Sequence, residues 1–324
     1  MASDGTEALG FSYVLGGSGE VALRACRLLL ERFVVGQSLR HPEGLNRQME
    51  ASFNRIGRGP SFIALAAVDV AVWDLYAKTL NVPVGVAMGG EMRRIPVYGS
   101  GGFNTQQTPE EAAQVARDYM ARGATAVKPR VAGTAKDALV LEAVHDAVVG
   151  RAEIMVDANE KGTPSRALRL ANLARDYGVL FVEEPLPAQQ IGNYRSLAAA
   201  APIALACGEH LQGVGEFLPF IVNHACSVIQ PDLAMSGGLT QSLRIARLAE
   251  AFGIEVAPHF LPGLFAHLAA ASPSVTWLED FPLLESLFDG EHEFGDDGYL
   301  SITAKPGLGF TWAAGAREAF ELPD

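Results

Sequence analysis

"AEIMVDAN", residues 152–159, is the stretch whose reading decides the fold. Its apolar middle reads as a strand, and it ends in Asp157 and Asn159, with Glu160, Lys161 and Gly162 following. A strand ending in carboxylate and amide is either a solvated turn or the lip of an active site. The form recurs along the chain. Further candidate strands are "RIPVYGS" (94–100), "TAVKPRV" (125–131), "VLFVEEP" (179–185), "IALACGE" (203–209), "CSVIQPD" (226–232), "IEVAPHF" (254–260) and "VTWLED" (275–280). Amphipathic Ala/Leu/Arg-rich stretches separate them. "TPEEAAQVARDYMARG" has Pro and two Glu in its first turn, and "GLTQSLRIARLAEAFG" stops at Gly253, as helices begin and end. Strands alternating with helices imply parallel βαβ units. Eight strands within about 190 residues fit a closed TIM-type barrel, which takes roughly 200–250 residues. The rival is an open, doubly wound sheet.

Residues 1–93 read as mainly helical: "GEVALRACRLLLERFV", "RQMEASFNRI" and "SFIALAAVDVAVWDLYAKTL". In the last, Phe62, Ala66, Val70 and Trp73 recur at helical spacing, the mark of core packing. The apolar run "FIALAAVDVAVW" contains Asp69, precedes Asp74 and reads as too short and too charged to span a bilayer. "NVPVGVAMGGEMRR" is a Pro/Gly-marked hinge. The tail after about residue 300 leaves the repeat and is expected to pack on the amino-terminal part.

The chain has 324 residues and a net charge of −12. That acidity argues against nucleic acid or an anionic membrane as partner, but not against a small anion in a cleft where a metal or Lys reverses the field. Cys26, Cys207 and Cys226 form no CxxC, and no secretory signal opens the chain; a cytoplasmic protein is the expectation.

In a barrel of this type the chemistry sits at the carboxyl ends of the strands. There stand Lys128 and Arg130, Asp157 and Asn159, Glu183 and Glu184, Glu209 and His210, Asp232, His259 and Glu279. Side chains alternate along a strand, so only one of Glu183 and Glu184 can look inward. Asp157, Glu183 and Glu209 come from successive strands. Like charges repel unless a cation holds them, and an all-oxygen set suits Mg²⁺; the bland alternative is three unrelated polar lips. His259 and Asp232 lie on neighbouring strands, as a general base and the carboxylate that orients it would. His145, His224 and His267 read as structural or surface groups. A metal, a base and a cationic Lys suit proton abstraction next to a carboxylate.

The order KxR, DxN, EEP, GE, QPD, PH and E resembles the enolase superfamily, and within it the mandelate racemase subgroup, the mandelate racemase and muconate lactonizing enzyme-like proteins. Asp157 to Glu183 and Glu183 to Glu209 each span 26 residues, which strengthens the likeness. It implies a (β/α)7β barrel (94–300) with an α+β cap, built from residues 1–93 and completed by the tail, 301–324. It implies Mg²⁺ on Asp157, Glu183 and Glu209, with Asn159 beside it. It implies His259, paired with Asp232, as base and as acid for a leaving hydroxyl. Glu279 would hydrogen-bond the substrate carboxylate, and a homo-oligomer is expected.

Two departures bear on activity. The usual KxK motif is KxR here. Arg130 is a poor base and a good carboxylate clamp; Lys128 could still act as one, though the role the resemblance implies for it is more often electrostatic. That favours one-base chemistry through His259, hence dehydration of a sugar acid through an enediolate. Racemisation, epimerisation or lactone cycloisomerisation on the same site is the alternative, and a non-catalytic barrel kept for ligand binding or oligomerisation is one of another class. Secondly, the amino-terminal cap reads as truncated, the chain entering at "GTEALGFSYVLGG". At the mouth, "GSGGFNTQ" and "HLQGVG" bring Ser100, Asn104, His210 and Gln212, groups that suit a polyhydroxy acid.

Overall fold

The computed structural model describes residues 2–17, 19–290 and 294–316. The amino-terminal part is helical, as its periodicity predicts: α1 (Glu20–Phe33), α2 (Pro42–Ala51), α3 (Pro60–Thr79) and the single turn α4 (Val84–Ala87). Helix α2 lies upstream of the expected stretch at 47–56. Pro42 occupies its first turn, where the missing N–H costs nothing. Its end comes at Ser52, whose Oγ donates to Met49 O at 2.6 Å.

The 20-residue α3 is long and apolar enough to cross a membrane by length and composition alone, longer than its apolar run in sequence implies. Packing decides otherwise. Phe62, Leu65, Ala66, Val70 and Trp73 are all 0% exposed, and the helix packs against α1 and α2. It also buries Asp69 and Asp74, each with partners. Asp69 accepts from Asn46 Nδ2 and from the Thr240 N–H, both at 2.8 Å.

Next come β1 (Ile95–Gly99), α5 (Pro109–Ala121), β2 (Ala126–Val127), α6 (Lys136–Val148), β3 (Glu153–Ile154) and β4 (Val156–Asp157). The order continues with α7 (Pro164–Asp176), β5 (Phe181–Glu183), α8 (Ile191–Ala200), β6 (Ala204–Cys207), α9 (Gly213–Val222) and β7 (Val228–Ile229). It ends with α10 (Leu233–Ser236), α11 (Leu239–Ala251), β8 (Glu255–Val256), α12 (Pro262–Ala271) and β9 (Leu278–Asp280). Strands β3 and β4 flank Met155 and together make one barrel strand. All eight expected strands therefore form, with ends trimmed; Pro129, lacking an N–H, keeps β2 short. Thr108 caps α5 in a capping box with Glu111.

Pairing is parallel around the ring. β1 pairs β2, β2 pairs β3, and β4 to β8 pair in order. Single bridges Arg130↔Asp157 and Val256↔Val275 join the segments. β9 returns to β1, with Tyr98 opposite Glu279. A sheet that meets itself is a barrel, so the doubly wound alternative falls.

The tail carries β10 (Phe288–Asp289), β11 (Tyr299–Leu300) and β12 (Thr311–Trp312). β11 adds antiparallel to β1. Phe11 meets Phe310 at 6.4 Å between ring centroids, so the described part of the tail does pack on the amino-terminal part. Its last residues, 317–324, lie outside the described residues. Asp74 joins the two ends: its carboxylate accepts the Leu9 N–H at 2.7 Å and the Leu308 N–H at 2.8 Å. His267 does similar work, meeting Gly85 N–H at Nδ1 (3.1 Å) and Leu308 O at Nε2 (2.9 Å), in accord with a structural role. The hinge is tightly seated: a Cβ at Gly90 would lie 2.1 Å from Ala270 O.

Candidate active site

Inside the barrel the side chains stack in layers. Tyr98, Ala126, Met155, Phe181, Ala206, Val228 and Ala257 form an apolar floor, with Trp277 against it. Two residues further along each strand, on the same face, stand Ser100, Lys128, Asp157, Glu183, Gly208, Gln230, His259 and Glu279. Each of the seven side chains in that upper layer is at most 9% exposed. A charged layer on an apolar floor costs desolvation unless its members compensate one another. Gly208 breaks the pattern usefully. It has φ 144°, and a Cβ there would lie 2.7 Å from Phe217 Cε1 and 2.9 Å from the Gln230 backbone. The bend brings Glu209, the next residue, to the other carboxylates.

Carboxylate oxygens of Asp157, Glu183 and Glu209 lie within 4.8 Å of one another. Among the described residues, buried Glu183 Oε1 and Glu209 Oε2 have no hydrogen-bond partner. Burial, with the charges of Asp157, Glu279 and Glu209, pushes the Glu183 carboxyl well up, against the pull of Lys128. Three converging carboxylates that keep two such oxygens free of donors fit a hard divalent cation such as Mg²⁺.

Cationic side chains flank the cluster. Lys128 Nζ donates to Glu183 Oε2 at 2.5 Å and lies 2.8 Å from Glu279 Oε1, above the Tyr98 ring. Burial alone would lower its pKa, but Glu183 and Glu279 outweigh that and raise it well above the usual range. It stands as an ammonium. Arg130 pairs with Asp157 Oδ2. Gln230 Nε2 donates to Glu183 Oε2 at 2.5 Å. Gln230 escaped sequence reasoning, although it stands two residues before Asp232 on the same face.

His259 lies across from the acids. Its Nδ1 is 2.9 Å from Asp232 Oδ2, on strand ends joined by a parallel bridge. Its Nε2 is 3.3 Å from Glu209 Oε2. Burial works against the charged ring, but Glu209, the Asp232 hydrogen bond and Glu279 raise its pKa to about 10. Asp232 also caps α10, its Oδ1 accepting the Met235 N–H at 2.8 Å. Glu279 accepts the Phe260 N–H at 2.9 Å. Burial would raise its pKa, yet Lys128 and His259 bring it to about 2. In this structure it pairs with Lys128.

The mouth holds the remaining expected residues. Asn159, at φ 43°, turns back on Asp157: its N–H donates to Oδ1 at 2.8 Å. Glu183 and Glu184 do part, as alternation requires. Glu184 Oε1 lies 2.7 Å from His210 Nδ1, a bond that, against partial burial, raises the His210 pKa to about 9. Glu160 is not the solvated turn its place after Asn159 implies. Its carboxylate accepts the Ala188 N–H at 2.5 Å and lies 4.0 Å from His210. Gln212 Oε1 holds the Gly59 N–H at 3.0 Å, and Asn104 serves its own turn, accepting the Gln106 N–H at 2.9 Å. Ser100 is buried with Oγ unpartnered among the described residues.

This charged layer at the strand ends meets a clear likeness in known proteins. Residues 110–316 match the family described as enolase C-terminal domain-like, and residues 1–89 match the mandelate racemase / muconate lactonizing enzyme N-terminal domain. The chain belongs to the mandelate racemase/muconate lactonizing enzyme family. Among relatives in this family, the L-talarate/galactarate dehydratase of Salmonella typhimurium is 31% identical over 326 residues, covering 98% of this chain and 80% of that protein. The D-galactarolactone cycloisomerase of Agrobacterium fabrum is 28% identical over 316 residues, covering 90% of this chain and 83% of its own. The crystal structure of L-talarate dehydratase from Polaromonas sp. JS666, complexed with Mg and L-glucarate, superimposes with a TM-score of 0.91 at 30% identity. It covers 98% of this chain and 89% of that one. Membership of the mandelate racemase/muconate lactonizing enzyme family thus agrees with the barrel and with the all-oxygen cluster.

Proposed function

We propose that this protein is a Mg²⁺-dependent sugar-acid dehydratase that abstracts the proton α to a carboxylate. The observation that carries the reading is the opposition of two groups across one gap. Three converging carboxylates stand on one side and the His259–Asp232 dyad on the other, with Glu209 facing both. Relatives that are dehydratases of talarate, galactarate and gluconate support it.

The residues divide the work. Asp157, Glu183 and Glu209 would hold Mg²⁺, which would supply positive charge to stabilise the carboxylate of a bound sugar acid in its enediolate form. Asn159 and Arg130 fix Asp157, and Gln230 fixes Glu183. Lys128 adds a permanent positive charge beside the same region, held in place by Glu279. His259 Nε2 takes the α-proton, with Asp232 orienting the ring and stabilising its charged form, and returns a proton to the departing β-hydroxyl. His210 meets the substrate's distal hydroxyls at the mouth.

Cycloisomerisation is the second reading, favoured by the likeness to D-galactarolactone cycloisomerase. It uses the same first step and differs in the group that leaves. We further propose residues 1–93 with the tail from 301 as cap and 94–300 as barrel, a homo-oligomeric assembly, and a cytoplasmic setting, which acidity and cysteine usage support.

The test is a screen of acid sugars with Mg²⁺, read as 2-keto acid formation, on wild type, His259→Asn and Glu183→Gln. Loss of turnover in both is expected, with Mg²⁺ affinity lost only in Glu183→Gln. Full activity in either variant would overturn the assignment.

A further inference from the structure

Tyr13 lies in the amino-terminal segment ahead of α1, yet its hydroxyl donates to Asp232 Oδ2. That oxygen is also the one 2.9 Å from His259 Nδ1. The other, Oδ1, is occupied by the Met235 N–H. The Tyr13 ring lies 5.0 Å from that of Phe260, which in turn lies 4.2 Å from the His259 imidazole. The Phe260 N–H holds Glu279, and Phe260 itself sits at a positive φ of 29°. Tyr13 thus reaches the dyad twice, through its hydroxyl to Asp232 and through its ring to the residue backing His259.

A carboxylate held at one oxygen by a single backbone N–H can still rock about that contact through small coupled changes in χ1 and χ2, which move its other oxygen. Two donors on that second oxygen, one from the cap and one from the imidazole, define its direction. Charge-assisted bonds of this kind are strong and directional. Burial and the Asp232 charge push the Tyr13 pKa well above its usual value, so the hydroxyl keeps the proton it donates.

We propose that Tyr13 is a positioning residue for the His259–Asp232 dyad, through which docking of the amino-terminal segment sets the direction of the base. The inference rests on the reading of His259 as that base. A residue that only packed the cap would need its ring and not its hydroxyl, so Tyr13→Phe separates the two roles.

The experiment is a double-mutant cycle on the full chain with Mg²⁺ and an acid sugar that the wild type turns over. It uses Tyr13→Phe, Asp232→Ala and the pair, with His259→Asn as control. Where turnover is slow, exchange of the α-proton in D₂O serves as the rate. Tyr13→Phe is expected to lower kcat roughly tenfold, in the range of losing one bond to a charged group, with KM, Mg²⁺ affinity and melting temperature near wild type. In the Asp232→Ala background the same change should do nothing, because coupled residues are not additive. Wild-type kcat in Tyr13→Phe, an effect on KM alone, or a full tenfold loss in the Asp232→Ala background would each overturn the proposal. If His259→Asn retains turnover, the reading of the base fails, and Tyr13 loses its role with it. If His259→Asn is dead while Tyr13→Phe matches wild type, the Tyr13 inference alone is wrong.

Discussion

Glu209 Oε2 lies 3.3 Å from His259 Nε2 without the geometry of a hydrogen bond. One carboxylate therefore faces both the proposed metal position and the proposed base. In the absence of a cation its charge falls on the imidazole, and the His259 pKa rises to about 10. A cation on Glu209 would draw that charge away and leave a ring better able to accept a proton.

A pH dependence follows for metal-free protein. His259 has a folded pKa of about 10 against an ordinary 6.5. A group raised on folding stabilises the fold fully below its unfolded pKa and loses that contribution as pH climbs through the folded one. His259→Asn should thus cost most stability near pH 6 and progressively less between pH ~6.5 and ~10. Urea denaturation across that window reads it, and a cost independent of pH would contradict the assignment.

Lys128 is fully buried between Glu183 and Glu279. Its removal strands two carboxylates in the barrel, and breaking a buried pair costs about 3–5 kcal/mol. Lys128→Ala is expected to unfold at a correspondingly lower urea concentration in EDTA. Mg²⁺ should recover part of the loss by neutralising Glu183. Equal loss with and without Mg²⁺ would count against shared compensation.

Because Lys128 is held between two carboxylates and Arg130 is engaged by Asp157, the proposed mechanism gives the exchange of a proton with the α-carbon to His259 alone among the described residues of this layer. Substrate recovered from D₂O should carry deuterium in its original configuration only. Deuterium in both epimers, seen by NMR, would require a second base and revive racemisation.

Asp74 accepts the Leu9 and Leu308 N–H groups and pairs with Lys78 at 2.7 Å. Asp74→Ala leaves two buried donors unmet, at about 1–3 kcal/mol each. The expected result is a fall in stability with faster proteolysis near both ends, and kcat little changed once the protein is folded. Wild-type stability would show that the clip is dispensable.

Much of this was legible in the chain itself. The equal spacing of Asp157, Glu183 and Glu209 repeats the length of one βα unit, and alternation along the strand aims Asp157 and Glu183 inward. Helix α3 and the capping box of α5 are likewise written in neighbouring residues. Those signals are local, and local propensity and period carry them. What only the tertiary structure decided depends on how separate elements come together. The bend at Gly208 admits Glu209 to the cluster, and the fold of Asn159 back on Asp157 makes it a support for the proposed metal site. Glu160 leaves its turn to join Glu184 and His210. Lys128 meets Glu183 and Glu279 only because the sheet closes β9 on β1. Tyr13 reaches Asp232 across 219 residues, a pairing set by how the amino-terminal segment packs on the barrel mouth and by no pattern within the segment.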